Sequence, residues 1–151
     1  MLPIKKILAA VQVDSDSNAV VDFAGDLAKW NQAELELIHI FETPGYGGPK
    51  DLAWIDGQIQ HSEGELGPWR SAQAMARMLE RCGPLGLPSL QGRMVYGMVE
   101  STLVEWVHRG GFGLVVIGNH PHSKIERMLS GDVARELVKT CPCPLLIVPH
   151  Y

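Results

Sequence analysis

The sequence predicts an α/β fold in which a doubly wound, five-stranded parallel sheet carries helices on both faces. Short runs rich in valine, isoleucine and leucine alternate along the chain with segments whose apolar residues recur at helical spacing. The strand-like runs are apolar almost throughout, which is typical of parallel strands covered on both faces. Each connection is long enough to return the chain to a parallel neighbour. With 151 residues, 46% of them hydrophobic, the chain fits one domain over residues 1–151.

The first half of the chain begins with a predicted strand over Lys6–Val11, an almost uninterrupted apolar run. Four polar residues, Asp14–Ser17, then offer N-caps for a helix that runs to about Trp30. Glu34–Phe41 follows as the second strand, with leucine and isoleucine supplying its apolar character. The apolar face of the helix between the two strands consists of Val20, Val21, Ala24, Leu27 and Ala28.

The segment Thr43–Pro68 differs from the rest of the chain. It contains six glycines and three prolines in 26 residues. A long irregular segment inside a compact domain is usually a functional loop or a mobile one. We expect it to be less ordered than the remainder, or to be ordered by packing of Trp54 over the mouth of a binding crevice.

In the second half, helical spacing returns over Trp69–Cys82 and stops at a Gly-Pro pair. Gly92–Tyr96 is a short third strand, and Val99–His108 is a helix closed by two glycines. The fourth strand is Leu114–Ile117, an apolar run that ends at a glycine. The remaining elements are a helix over about Asp132–Thr140 and a fifth strand containing Leu145–Val148.

Composition and charge exclude several classes of function. The net charge of −4 and the scattered basic residues leave no electrostatic footprint for nucleic acid. No apolar run approaches the roughly 20 residues that a membrane-spanning helix needs. The apolar start of the chain ends at Asp14 without a small-residue cleavage site, which favours a buried strand over a signal peptide. Three cysteines make no even disulfide framework, which predicts a cytoplasmic location.

A strand–glycine–loop–glycine–helix pattern follows the fourth strand. The apolar run ends at Gly118, a polar loop follows, and Gly131 directly precedes the last predicted helix. α/β proteins use this order to present backbone N–H groups and a helix N-terminus to phosphate. Two glycines alone could also serve only to turn the chain, so the prediction depends on the residues around them.

The stretch Leu114–Val148 resembles the C-terminal signature of the universal stress protein family, whose nucleotide-binding members carry G-x2-G-x9-G-[ST]. Gly118 and Gly131 match the first and last glycines at that spacing. Pro121 stands in place of the middle glycine, and Asp132 in place of the final Ser or Thr. The resemblance implies the strand order 3-2-1-4-5, with a ligand crevice between the first and fourth strands.

The same resemblance implies that an adenine nucleotide contacts the ends of these strands. Gln12 stands where nucleotide-binding relatives place an aspartate that contacts adenine, and glutamine offers both a donor and an acceptor. Ile40 matches the apolar residue that packs on the adenine ring. The predicted nucleotide-binding residues are Ala10, Val11, Gln12, Ile40, Gly118, Asn119, His120, Gly131, Asp132 and Val133.

Two departures from the motif predict weak binding of a triphosphate. Pro121 has a fixed φ and no N–H to donate. Asp132 would place a carboxylate at a helix N-terminus, where it accepts the helix N–H groups itself. Two like charges ~4 Å apart repel by about 1 kcal/mol in water and by about 4 kcal/mol at an effective dielectric of 20. No cofactor is predicted to be required, and ATP and AMP are both candidate ligands.

The sequence predicts no catalytic or metal site. The histidines of His120–His122 and the cysteines of Cys141–Cys143 do not have the spacing of a known zinc pattern. Neither a nucleophile elbow nor a Walker loop occurs. His39, inside the second strand, is interpreted as a satisfied, half-buried histidine rather than a base. We therefore predict a protein that is not an enzyme, with slow nucleotide hydrolysis left open.

The fifth strand is predicted to lie at a sheet edge, and proteins usually cover such edges. The resemblance implies a homodimer through this strand, while shielding by the chain's own loop is the alternative. Two functions stay open: a cytoplasmic stress-response protein with an adenine nucleotide as regulatory ligand, and a dimeric module of the same fold that has lost nucleotide and recognises an unknown protein partner. The predicted dimer residues are Leu145, Leu146, Ile147 and Val148.

Overall fold

The computed structural model of the chain describes residues 3–12, 17–42, 50–51, 66–119 and 132–149. Within these ranges six strands form one sheet. Val, Ile and Leu dominate the longer strands because both faces of the sheet are covered. The strands are β1 (Lys6–Ala10), β2 (Glu34–Glu42), β3 (Lys50–Asp51), β4 (Leu90–Gly97), β5 (Leu114–Asn119) and β6 (Leu145–Pro149).

The strand order across the sheet is β3-β4-β2-β1-β5-β6. All neighbouring strands run parallel except the two-residue β3, which pairs antiparallel with β4. Without β3, the five main strands lie in the order 3-2-1-4-5 when numbered along the chain. The predicted parallel sheet and its order are therefore confirmed, and β3 is an addition at one edge.

The four predicted helices are all present, with bounds close to those expected. The largest difference is in the second helix, which begins at Leu66 rather than Trp69. Proline is tolerated in the first turn of a helix, so Pro68 does not prevent this earlier start. The helices are α1 (Asn18–Asn31), α2 (Leu66–Cys82), α3 (Val99–Gly110) and α4 (Asp132–Thr140), with a short 3₁₀ turn at Gly83–Leu85.

One apolar cluster lies on each face of the sheet. Side chains of α1 and α2 pack against Ile7, Ala9 and Leu37 on the first face. Side chains of α3 and α4 pack against Leu8 and other residues of the opposite pleat on the second face. Alternating residues of each strand thus enter opposite clusters, and each fully buried aliphatic side chain contributes roughly 1.5–3 kcal/mol.

A glycine allows α2 to pack closely on β4. A Cβ added to Gly92 would lie 2.9 Å from Leu79 Cδ1 and 3.0 Å from Met75 Cγ. A side chain here would require both residues to move, so the close packing of this helix depends on Gly92.

The glycine- and proline-rich segment Thr43–Pro68 is described only in part. It includes β3 and the first turn of α2. The two expectations for this segment, low order or a Trp54 side chain over the crevice, concern residues outside the described ranges.

Candidate functional site

The carboxyl ends of β1 and β5 lie side by side where the order of the sheet reverses. From β1 the chain proceeds to β2 on one side, and β5 lies on the other side. A crevice opens at such a point because the connections leave the two strands in opposite directions. Ala9 pairs with Val116, and the same register carried forward sets Gln12 beside Asn119. The strand ends that the sequence predicted for the crevice are therefore neighbours.

A serine hydroxyl fixes the backbone at the end of β1. Ser17 Oγ accepts the N–H of Gln12 at 2.9 Å and donates to the carbonyl of Gln12 at 3.0 Å. Both residues are buried. Ser17 occupies the N-cap position of α1, but its side chain makes no capping bond. The hydroxyl therefore closes the turn after β1 instead of capping the helix.

His39 forms a hydrogen bond with the backbone carbonyl of Val11, the residue directly after β1. Its Nδ1 lies 3.0 Å from the carbonyl oxygen of Val11. Because a carbonyl only accepts, this geometry requires the tautomer with hydrogen on Nδ1. The ring is buried and meets Phe41 edge-on, with 4.5 Å between centroids. The interpretation of His39 as a satisfied histidine is confirmed, but the side chain is buried rather than half-buried, because it packs beneath the end of the strand.

The face of the crevice toward α3 is apolar. A small pocket there is lined by four apolar residues, Ala10, Ile38, Ile40 and Val99, together with Val11, Gln12 and His39. Ile40 is only 5% exposed. The pocket has a volume of about 20 Å³ and combines apolar side chains with a few polar groups, which is the usual composition of a small-molecule site.

The side of the crevice that the sequence predicts to face phosphate is described only in part. Asp132 is the first residue of α4, and the side chain of Val133 packs in the core beside Leu137. Only the main chain of Val133 is therefore available to a ligand. His120, Pro121 and Gly131 lie outside the described residues, as do the side chains of Asn119 and Asp132.

The last strand, β6, pairs with β5 and with no other strand of the described part of the chain. Ile147 is 43% exposed, whereas Val148 is buried against the α1/α2 face. Leu145 and Leu146 are half-buried. Of the four residues predicted for a dimer interface, Ile147 thus presents the most exposed side chain.

A partly buried charged cluster lies away from the crevice and was not predicted from the sequence. Trp106 Nε1 donates to Glu36 Oε1 at 2.6 Å, and Arg93 Nε lies 3.6 Å from the same oxygen. The Arg93 guanidinium also lies 5.3 Å from the centre of the Trp106 ring. The cluster joins α3 to β2 and β4. An acidic residue between two leucines of a buried strand, as in Leu35–Leu37, was the available signal.

The described residues contain no group of three His, Cys, Asp or Glu side chains that could hold a metal ion. Within the same ranges, none of the helices combines the length and apolarity required to cross a bilayer. All three cysteines are free thiols.

A parallel sheet in this order, with helices on both faces, is the architecture of the doubly wound α/β proteins. The model of the Universal stress protein family matches residues 3–149. The chain therefore belongs to the universal stress protein family, and the resemblance seen in the sequence is confirmed.

Individual relatives agree with this assignment. Universal stress protein A homolog 1 of Coxiella burnetii is 28% identical over 146 residues, which cover 95% of each chain. A universal stress protein solved in complex with cAMP is 20% identical, with a TM-score of 0.67 and coverage of 97% of this chain and 98% of that one. The Archaeoglobus fulgidus protein solved with dAMP is 16% identical, with a TM-score of 0.64 and coverage of 97% and 99%.

Proposed function

We propose that this protein is a cytoplasmic stress-response regulator whose crevice binds an adenosine monophosphate-type ligand and binds ATP weakly. Two structural neighbours were solved with cAMP and dAMP, both of which carry one phosphate. Use of ATP as the regulatory ligand is the second candidate. Loss of all nucleotide binding, with the crevice kept only as part of a protein-interaction module, is the competing function.

The observation that carries the proposal is the arrangement of the β1 and β2 ends. Ile40 and Val99 offer an apolar surface for adenine, and Gln12 stands at its edge. The backbone of Gln12 is held by Ser17, and that of Val11 by His39. Preorganised polar groups beside an apolar wall reduce the entropy cost of ordering a ligand.

The preference for a single phosphate follows from the start of α4. The N-terminus of a helix attracts anions through its free N–H groups. Asp132 at this position supplies a negative charge of its own, so each further phosphate meets more repulsion. A monophosphate, which ends nearer the sugar, avoids much of that repulsion.

We further propose that the protein acts as a homodimer through β6 and that it signals through a protein partner. Within the described residues the outer edge of β6 pairs with no further strand, and this edge and the exposed Ile147 support the assembly. We assign no catalytic step, because the described crevice residues include no nucleophile paired with a base. His39, the titratable side chain at the strand ends, donates to a backbone carbonyl.

Calorimetric titration of the purified protein with AMP, ADP and ATP tests the proposal. We expect AMP to bind at least about fivefold more tightly than ATP, since the Coulomb penalty of an added charge is about 1 kcal/mol or more. CMP, which keeps the phosphate and changes the base, is the ligand control and should bind much more weakly. Equal binding of AMP and CMP, or no binding of either, would overturn the proposal.

A pair of matched variants locates the site. Ile40→Val removes one methylene-sized group from the proposed adenine surface and should weaken AMP binding by about 0.8 kcal/mol, or roughly fourfold. Ile7→Val makes the same change at a fully buried residue in β1, near the opposite end of the sheet. It should leave AMP affinity unchanged. An equal loss of AMP affinity in both variants would mean that AMP does not contact Ile40.

A further inference from the structure

We infer that Cys141 and Cys143 form a reversible two-electron redox site, a thiol pair that closes to an intramolecular disulfide. The two sulfur atoms lie 3.8 Å apart. A disulfide requires about 2.05 Å, so rotation of the two side chains and a small tightening of the turn complete the bond. This inference is independent of the nucleotide proposal.

The fold holds the pair at the turn between α4 and β6. The N–H of Cys141 still donates to the carbonyl of Leu137, at 2.8 Å, so this residue ends α4. Just after Cys143, the carbonyl of Pro144 accepts the N–H of Val115 and anchors the start of β6. Pro142 between the cysteines has a fixed φ, which reduces the backbone freedom of the turn. The turn therefore keeps both sulfurs on one side.

The surroundings of the pair permit reaction with a small oxidant. Both cysteines are half-buried, and the prolines at 142 and 144 are exposed. A disulfide across only three residues is strained, and strained or exposed disulfides are the readily reduced ones. The pair is thus suited to a reversible change rather than to a permanent structural bond.

The third cysteine cannot take part. Cys82 is 2% exposed and packs in the α1/α2 cluster, whereas Cys141 and Cys143 pack against the α3/α4 cluster. The sheet separates the two groups. Burial also raises the pKa of the Cys82 thiol to about 11, which keeps it protonated and unreactive near neutral pH.

The chemistry is a thiol–disulfide exchange with a low-molecular-weight disulfide such as oxidised glutathione. The Cys141 thiolate attacks one glutathione sulfur, forms a mixed disulfide and releases one glutathione thiolate. Cys143 then loses its proton to solvent and attacks the Cys141 sulfur, which releases the second glutathione. Two protein thiols are oxidised, and one glutathione disulfide is reduced to two thiols.

The order of attack follows from the environment of Cys143. Burial and the adjacent Cys141 sulfur raise the pKa of the Cys143 thiol to about 12. A thiol that is so rarely ionised is a poor first nucleophile toward a dilute oxidant. It can still resolve the mixed disulfide, because the neighbouring sulfur is then at a high effective concentration.

The test equilibrates the full chain in glutathione buffers of rising oxidised fraction, followed by acid quench, denaturation, alkylation and mass spectrometry. We expect the wild type to lose two of its three alkylatable thiols, to regain them in dithiothreitol, and to yield one peptide with Cys141 linked to Cys143. The Cys82→Ser control should lose both remaining thiols over the same range of buffers.

Single variants separate the two roles. Cys143→Ser should accumulate glutathione on Cys141, and Cys141→Ser should carry little. Retention of three alkylatable thiols by the wild type in every buffer would overturn the inference. So would a disulfide between chains, or loss of two thiols in either single variant of the pair.

Discussion

At the scale of single residues, the crevice depends on side chains that hold the main chain in place. Ser17 and His39 bind the backbone at the end of β1. The sequence could place Gln12 just after the first strand and Ile40 near the end of the second, because the apolar runs of these strands stop at Val11 and Phe41. It could not show the two supporting residues, since these bonds depend on the path of a turn and on a partner 28 residues away.

Replacement of Ser17 tests this support. Ser17→Ala removes both bonds to the backbone of Gln12 and leaves a buried N–H and carbonyl without the hydroxyl. We expect the free energy of unfolding to fall by about 1–3 kcal/mol and AMP binding to weaken, as measured by urea denaturation and calorimetry. The control Ser101→Ala removes an exposed hydroxyl that lies 3.4 Å from the carbonyl oxygen of Met98. A loss as small as the control's would show that Ser17 does not hold the strand end.

The partly buried charged cluster around Glu36 gives a second prediction. Trp106→Phe keeps an aromatic ring but removes the donor to Glu36 Oε1, a bond of 2.6 Å to a charged group. The expected destabilisation is about 2 kcal/mol, measured by thermal or urea unfolding. Trp30→Phe is the control, because Trp30 is 86% exposed and should change stability by less than about 0.5 kcal/mol. Similar destabilisation by the two variants would contradict the stabilising role of the hydrogen bond from Trp106 to Glu36.

At the scale of elements, most of the fold could be predicted because each main strand is a short apolar run bounded by turn residues. Two features could not. β3 is a two-residue edge strand with no apolar pattern, and its existence depends on pairing with β4. The early start of α2 lies within Leu66–Pro68, where the glycine and the proline indicate a loop, although a proline in the first turn is compatible with a helix.

The contact between α1 and α2 predicts a pH dependence. Arg81 donates from two nitrogens to the two carboxylate oxygens of Asp22, at 2.5 and 2.7 Å. This hydrogen bond holds the pKa of Asp22 below its usual 3.8. A lowered folded-state pKa stabilises the protein above the unfolded pKa, and the contribution is lost as pH falls through the folded value.

The measurement is unfolding of wild type and Asp22→Asn from pH 7 to pH 2. Because both side chains are 47% exposed, we expect a difference of less than about 1 kcal/mol at pH 7. The difference should shrink below pH 3.8. Asp26→Asn removes an exposed carboxylate from the same helix as a control. A difference in unfolding free energy between wild type and Asp22→Asn that grows on acidification would contradict the lowered pKa of Asp22.

At the scale of the whole molecule, the sheet is covered on both faces but ends in β6, whose outer edge carries the exposed Ile147. We expect Ile147→Asp to convert the proposed dimer into a monomer, since it places charges across a two-fold interface. Sedimentation velocity would measure this. Val138→Asp, at an apolar residue 70% exposed on α4, should leave the dimer intact. Dimers of Ile147→Asp would mean that another surface is used.

The ligand crevice is also a property of the whole molecule, because strand order creates it. The family resemblance implied that order from one stretch of sequence, and the structure shows it in the pairing of β1 with both β2 and β5. The proposed phosphate side of the crevice depends on the path of the loop before α4. In this chain Pro121 replaces a motif glycine and Asp132 replaces the final Ser or Thr. The motif therefore does not predict the path of that loop.

The most direct test is the ratio of ATP to AMP affinity in Asp132→Ser, measured by calorimetry beside wild type and the control Asp26→Ser, which removes the same charge from an exposed part of α1. Removal of the carboxylate at the start of α4 should raise ATP affinity at least about fivefold relative to AMP. Pro121→Gly in the same chain should add a smaller gain, because a charged contact outweighs a neutral one roughly twofold. Micromolar ATP binding by the wild type, with no gain in Asp132→Ser, would contradict the proposed phosphate preference.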